Sequence, residues 1–229
     1  MVAEAEPVID RITLTSAYDG FRLSAWHLAA RSTRRGGVVV LHEVFGLTPH
    51  MADVMQRLAA QGYDVVAPSL FDRIEPGFLR SNAQEGLHEG IAAARATPNA
   101  QALGDMHAAF ARLGEGPHFA VGFCFGGVMA WIAAQHLDGL AGAVSFYGRR
   151  IIEELQAPLQ CPVQMHYGDR DGSIPLSDVA QVAARYPAAA IHVYPAGHAF
   201  CREGGDNFDP AARDLAFQRT LAFMAGLAR

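Results

Sequence analysis

The chain has 229 residues, 51% of them hydrophobic, with 18 Lys and Arg against 23 Asp and Glu, a formal net charge of −5 at pH 7 and a pI near 6.0. That length and apolarity suffice for one large core, so a single domain over residues 1–229 is expected. The acidic balance excludes the phosphate-neutralising surface of a nucleic-acid binder, and no apolar run approaches the ~18 residues of a membrane span. Residues 1–7 hold two acidic side chains and lack the apolar core of a secretory leader, so a cytoplasmic protein, monomeric or a small homo-oligomer, is expected. The three cysteines, Cys124, Cys161 and Cys201, are too few for a disulfide framework, and no Cys-x-x-Cys pair suggests structural zinc. Reduced thiols are the expectation.

In chain order, residues 9–16 and 21–29 flank Ala17-Tyr18-Asp19-Gly20, and Asp-Gly between two alternating segments predicts a hairpin of antiparallel edge strands. The apolar run 38–41 reads as a strand buried on both faces of a parallel sheet, with His42-Glu43-Val44-Phe45-Gly46 at its carboxyl end. Met51, Val54, Met55 and Leu58 recur at helical spacing within 49–61, and Gly62 closes that helix before a strand at 64–68. Residues 69–97 carry Pro76, Gly77, Gly86 and Gly90 and are expected as loop and short helix above the sheet. A helix at 98–113 follows, with Pro98 suited to its first turn and Gly114 to its end.

Residues 118–136 form the centre of the pattern. An apolar run reaches Gly122-Phe123-Cys124-Phe125-Gly126 and passes directly into helix-forming residues, the pattern of a nucleophile elbow with Cys124 in the nucleophile's place. Further strands are predicted at 140–146, 162–167 and 190–194, with helices at 176–186 and 209–227. Strands and helices alternate almost throughout, which predicts an α/β fold, a mostly parallel central sheet with helices on both faces.

Open α/β sheets gather functional groups beyond the carboxyl ends of their strands. Those ends deliver Glu43, Cys124, Gly168-Asp169-Arg170-Asp171 and Gly197-His198. Nucleophile, acid and histidine follow the chain order of an α/β-hydrolase triad, which selects Cys124, Asp171 and His198. Cys124 would attack an acyl carbon, His198 would carry the proton, and Asp171 would orient and charge-stabilise the imidazole. Oxyanion donors are expected at the backbone N–H of Phe125 and of Val44. Asp169 competes with Asp171, but the place of Asp171 four residues before Pro175 favours it, leaving Asp169 a turn residue.

These motifs resemble the dienelactone hydrolase family of α/β-hydrolases over nearly the whole chain. The resemblance rests on His42 to Leu47, Gly122 to Gly127, Phe146-Tyr147-Gly148, Gly168 to Asp171 with Pro175, and Gly197 to Arg202. It implies hydrolysis of a small anionic ester or lactone, of the kind exemplified by dienelactone opening to maleylacetate, through a Cys-His-Asp triad without a cofactor. It also implies that Glu43 helps activate the cysteine and that Arg202 holds a substrate carboxylate, with Tyr147 and Phe45 on the substrate side. The family's second carboxylate-binding arginine has no counterpart in residues 81–88, although Arg73 and Arg80 lie nearby. Two other readings stand beside this one: a general carboxylesterase or thioesterase for neutral acyl groups, and a binding protein that kept the fold without the chemistry. Cys161 reads as a buried packing residue, as does Cys201, although Cys201 could also line the pocket or serve redox chemistry. His42, His88, His166 and His192 lack metal-ligand spacing and read as structural or exposed, so no metal is expected.

Overall fold

The computed structural model describes residues 8–228. The expectation for residues 1–7 lies outside the described residues. Eight strands form one sheet in the order β1-β2-β4-β3-β5-β6-β7-β8. Strands β1 (Asp10–Thr15) and β2 (Arg22–Leu28) pair antiparallel, and β2 continues antiparallel onto β4 (Tyr63–Pro68). From β4 onward through β3 (Gly36–Leu41), β5 (His118–Phe123), β6 (Leu140–Phe146), β7 (Val163–Gly168) and β8 (Ala190–Tyr194) the pairing is parallel.

Burial follows from position. Every residue of β3 is buried, because helices cover the sheet on both sides there, whereas edge strand β1 buries little more than Leu14. The hairpin turn places Gly20 at φ 77°, and the Phe21 N–H donates to Asp19 Oδ1 at 3.1 Å. Helices α1 (Pro49–Ala60) and α6 (Pro210–Leu227) share one face, where the Arg57 guanidinium lies over the Phe217 ring. Helices α3 (Asn99–Arg112) and α4 (Phe125–His136) pack together on the other. Being covered by α3 and lying on β3, β5 and β6, α4 is buried from Phe125 to Gln135 and is apolar around its whole circumference. The closing helix begins one residue later than the sequence pattern suggests, because Asp209 caps it by accepting from Ala212 N–H at 2.9 Å.

The segment after β4 departs from its sequence reading. Residues 84–96 form a regular helix, α2 (Gln84–Ala96), of 13 residues. Gly86 and Gly90 lie on its inward side, where a Cβ at Gly86 would strike the Ser81 carbonyl and one at Gly90 the Val44 carbonyl. Here glycine permits helix-to-backbone contact and does not interrupt the helix. One 3₁₀ turn at Ile151–Glu153 and the helix α5 (Leu176–Arg185) complete the described elements. Among them no helix is long and apolar enough to cross a membrane.

Candidate active site

Strand β5 ends at Phe123 and α4 starts at Phe125, which leaves Cys124 alone at the turn with φ 53° and ψ −111°. A turn this tight brings backbones into contact: a Cβ on Gly122 would collide with the Gly126 carbonyl, and one on Gly126 with the Leu41 carbonyl. The strained conformation is pinned from both sides, since Cys124 N–H donates to Phe146 O at 2.9 Å and Gly126 N–H to His42 O at 3.0 Å. The other two described non-glycine residues with positive φ, Tyr147 at 41° and Ala199 at 60°, lie beyond the carboxyl ends of β6 and β8 beside the same turn.

The loops after β7 and β8 bring Asp171 and His198 to Cys124. His198 Nε2 is 3.4 Å from Cys124 Sγ, and His198 Nδ1 is 2.6 Å from Asp171 Oδ2. The second Asp171 oxygen accepts from the Ser173 N–H at 2.8 Å and hydroxyl at 2.6 Å, so both carboxylate oxygens are engaged. Burial lowers the His198 pKa, but the Asp171 and Cys124 contacts outweigh it and raise the imidazole to about 10. Burial works to raise Asp171, and its bonds to His198 and Ser173 nevertheless hold it below its ordinary value. Asp169 is a turn residue, its N–H donating to Tyr194 O and its side chain 44% exposed.

Glu43 and Arg202 meet one layer away. Arg202 donates to Glu43 Oε2 at 3.1 Å, and its guanidinium lies 4.9 Å from the Phe45 ring centroid. Glu43 Oε1, Arg202 Nε and the Tyr147 hydroxyl are buried without a hydrogen-bond partner among the described residues. Burial, then the Glu43 charge, pushes the Tyr147 phenol well up, and both Cys124 and Arg202 are near enough to act on it. The two further arginines near residues 81–88 are otherwise occupied: Arg73 pairs with Asp19 and Asp105, and Arg80 with Glu75 and Glu89.

Of the four histidines read as structural or exposed, three are held by contacts within the fold and one is exposed. His42 is buried, its Nδ1 bonded to the Glu43 carbonyl at 2.6 Å and its Nε2 accepting from Leu70 N–H at 3.0 Å, and burial lowers it to about 4. His166 is bound by Tyr194, Gln164 and Thr220 and is neutral for the same reason. Gln164 Nε2 lies 3.2 Å from a ring nitrogen of His192, and His88 is exposed. Cys161 and Cys201 are buried, which pushes both thiols up, Cys161 to about 11. No group of three or more His, Cys, Asp or Glu among the described residues is gathered as a metal site.

Cys124 and His198 open onto a cavity of about 760 Å³. Phe125, Val44 and Ser173 line it beside them, and neither the Phe125 nor the Val44 N–H has a hydrogen-bond acceptor among the described residues. The cavity extends under α2, whose Leu87, Ile91, Ala94 and Arg95 face it, and reaches Arg149, Arg150, Glu153 and Glu154 after β6. Arg202, Tyr147 and Phe45 are not on its wall, and they pack around Glu43 and the backbone behind it. The sequence reading missed the α2 face and the Arg149-Arg150 pair. Positions 87, 91, 94 and 95 have the spacing of one helical stripe, and Arg149-Arg150 follow a predicted strand end, so both signals were present in the residues.

The model of the dienelactone hydrolase family matches residues 23–227. An Escherichia coli protein provisionally named a carboxymethylenebutenolidase is 33% identical over 227 residues, covering 88% of this chain and 82% of that protein. The carboxymethylenebutenolidase of a Pseudomonas species is 30% identical over 228 residues, covering 91% of this chain and 92% of its own. Among solved structures, a Klebsiella pneumoniae protein provisionally called a dienelactone hydrolase superposes with a TM-score of 0.80 at 27% identity, covering 95% of this chain and 99% of the other.

Proposed function

The chain belongs to the dienelactone hydrolase family and is a carboxylic ester hydrolase, and within that class we propose that it cleaves a small ester or lactone by acyl transfer to Cys124. The observation that carries this reading is the unbroken contact from Cys124 Sγ through His198 to Asp171, at 3.4 and 2.6 Å.

For attack, the Cys124 proton passes to His198, whose imidazolium is stabilised by Asp171, and the partial positive charge at the start of α4 favours the thiolate so formed. The thiolate forms a C–S bond to the acyl carbon, and the oxyanion is met by the Phe125 and Val44 N–H groups. Collapse breaks the C–O bond, and the departing alkoxide takes the proton of His198. Water then attacks the thioester and gives a proton to the imidazole, the C–S bond breaks, and the acid leaves. Asp171, with both oxygens engaged, holds the imidazole in one tautomer and stabilises its cation.

Glu43 has one oxygen held by Arg202 and the other without a hydrogen-bond partner among the described residues, which leaves that oxygen available to a donor. It acts as an auxiliary base for Cys124. Arg202 fixes that carboxylate. A neutral acyl substrate is the second reading, favoured by the engagement of Arg73, Arg80 and Arg202 with carboxylates of the chain itself. Purified protein is expected to hydrolyse p-nitrophenyl acetate and Cys124→Ala to reduce turnover to background; undiminished turnover in that variant overturns the mechanism.

A further inference from the structure

The cavity beside Cys124 exceeds what a small lactone requires. At about 760 Å³ it lies toward the upper end of the size range of sites that enclose whole drug-sized ligands. Its wall divides by chemistry. Leu87, Ile91 and Ala94 of α2 with Val128 and Met129 of α4 supply an apolar surface, and Leu87 is 39% exposed, an uncovered large apolar side chain turned to this space. Arginines and glutamates supply the rest of the wall.

Arg95, Arg149 and Arg150 line the same cavity, against Glu153 and Glu154. Arg150 is neutralised by Glu153, which accepts from its Nε at 2.9 Å and its Nη2 at 2.5 Å, while Asn99 donates to Glu154 at 3.4 Å. Arg95 and Arg149 have no hydrogen bond or ion pair among the described residues. Three guanidinium groups against two carboxylates leave this concave wall net positive, and Arg95 and Arg149, whose forks carry no hydrogen bond from the described residues, each present the planar geometry that matches a carboxylate.

We infer that this cavity takes an extended ester, with its carbonyl at Cys124, an apolar acyl chain along α2 and α4, and a terminal carboxylate bonded by Arg95 and Arg149. The reacting end of this assignment rests on the hydrolase reading above; the anion end does not. Anion recognition thereby falls to residues of α2 and of the β6 loop, while Arg202 remains with Glu43.

The test compares kcat/KM for the mono-p-nitrophenyl ester of suberate with that for its terminal amide, using the full chain at low ionic strength. The acid is expected to be favoured by about tenfold, and the preference to shrink as salt screens the exposed arginines. The Arg95→Gln/Arg149→Gln double variant is expected to bring the ratio of the two esters to within about twofold of unity. Equal, measurable turnover of the two esters by the parent protein, or a ratio that survives both substitutions, overturns the inference. Calorimetry with suberate separates the two levels. Suberate binding that the double variant weakens by about tenfold upholds the cavity assignment even where neither ester is turned over, and the hydrolase reading alone then falls. Turnover of both esters without preference, and without suberate binding, overturns the inference and leaves the hydrolase standing.

Discussion

Glu43 and Arg202, 159 positions apart in the chain, meet at 3.1 Å around a carboxylate side chain that is 1% exposed. Their pairing ties the loop after β3 to the loop after β8. Arg202→Met would strand the carboxylate in a place without solvent or another cation, so stability is expected to fall by about 2–4 kcal/mol, read as a lower urea midpoint. Glu43→Gln, which removes the charge and keeps the shape, is expected to cost less. A midpoint unmoved by Arg202→Met would show that the pair carries no net stabilisation.

Burial lowers His198, and its Asp171 and Cys124 contacts raise it overall to about 10 from an ordinary value of 6.5. A histidine raised in this way stabilises the fold fully below about pH 6.5, and that contribution is lost as pH rises through about 10. In the proposed mechanism the same proton serves the leaving alkoxide. kcat is therefore expected to hold through neutral pH and to decline above about pH 10. Asp171→Asn removes one of the two supports, so the alkaline limb should move down by about one unit or more, with kcat lower by about a thousandfold. A pH–rate profile checks both, and an unmoved limb would refute the coupling.

On the acid side, His42 is buried with both ring nitrogens engaged, and burial depresses it to about 4. A histidine depressed on folding contributes stability that is present above pH 6.5 and lost as pH falls toward 4. About 2.5 units correspond to roughly 3 kcal/mol. Urea denaturation between pH 7 and 4 should show that loss, and a flat profile would indicate that His42 is hydrated in the folded chain.

Alanine normally strengthens a helix relative to glycine. At Gly90 the opposite is expected, because the added Cβ meets the Val44 carbonyl: Gly90→Ala should cost about 1–3 kcal/mol and lower kcat/KM by displacing a wall of the cavity. At Gly226, in α6, nothing lies within 4 Å of the new Cβ, and Gly226→Ala should be neutral or stabilise by up to about 1 kcal/mol. Thermal melts of the two variants check the contrast in sign.

The parallel sheet was legible because its central strands are buried on both faces and read as uninterrupted apolar runs, as in Val38-Val39-Val40-Leu41. The trio Cys124, Asp171 and His198 could be named because each follows a strand end. What escaped depended on contacts between distant segments. Gly86 and Gly90 look like helix breakers until Ser81 and Val44 are seen against them, and so the sequence alone predicts loop and short helix where α2 stands. Arg202 has the chain position of a substrate ligand, and only the folded arrangement shows it turned to Glu43. Arg95 and Arg149 sit in elements with no sequence relation to each other, and their sharing of one wall is a property of the assembled sheet and its cover.

Burial has sorted the three cysteines. Cys161 and Cys201 are enclosed and held protonated, whereas Cys124 is part-exposed at the start of a helix and touches a protonated imidazole. Toward thiol-directed electrophiles arriving from water the chain thus presents one accessible thiol. A thiol-directed alkylating agent is therefore expected to react at Cys124 first, and a reporter group to attach there without removal of any other cysteine.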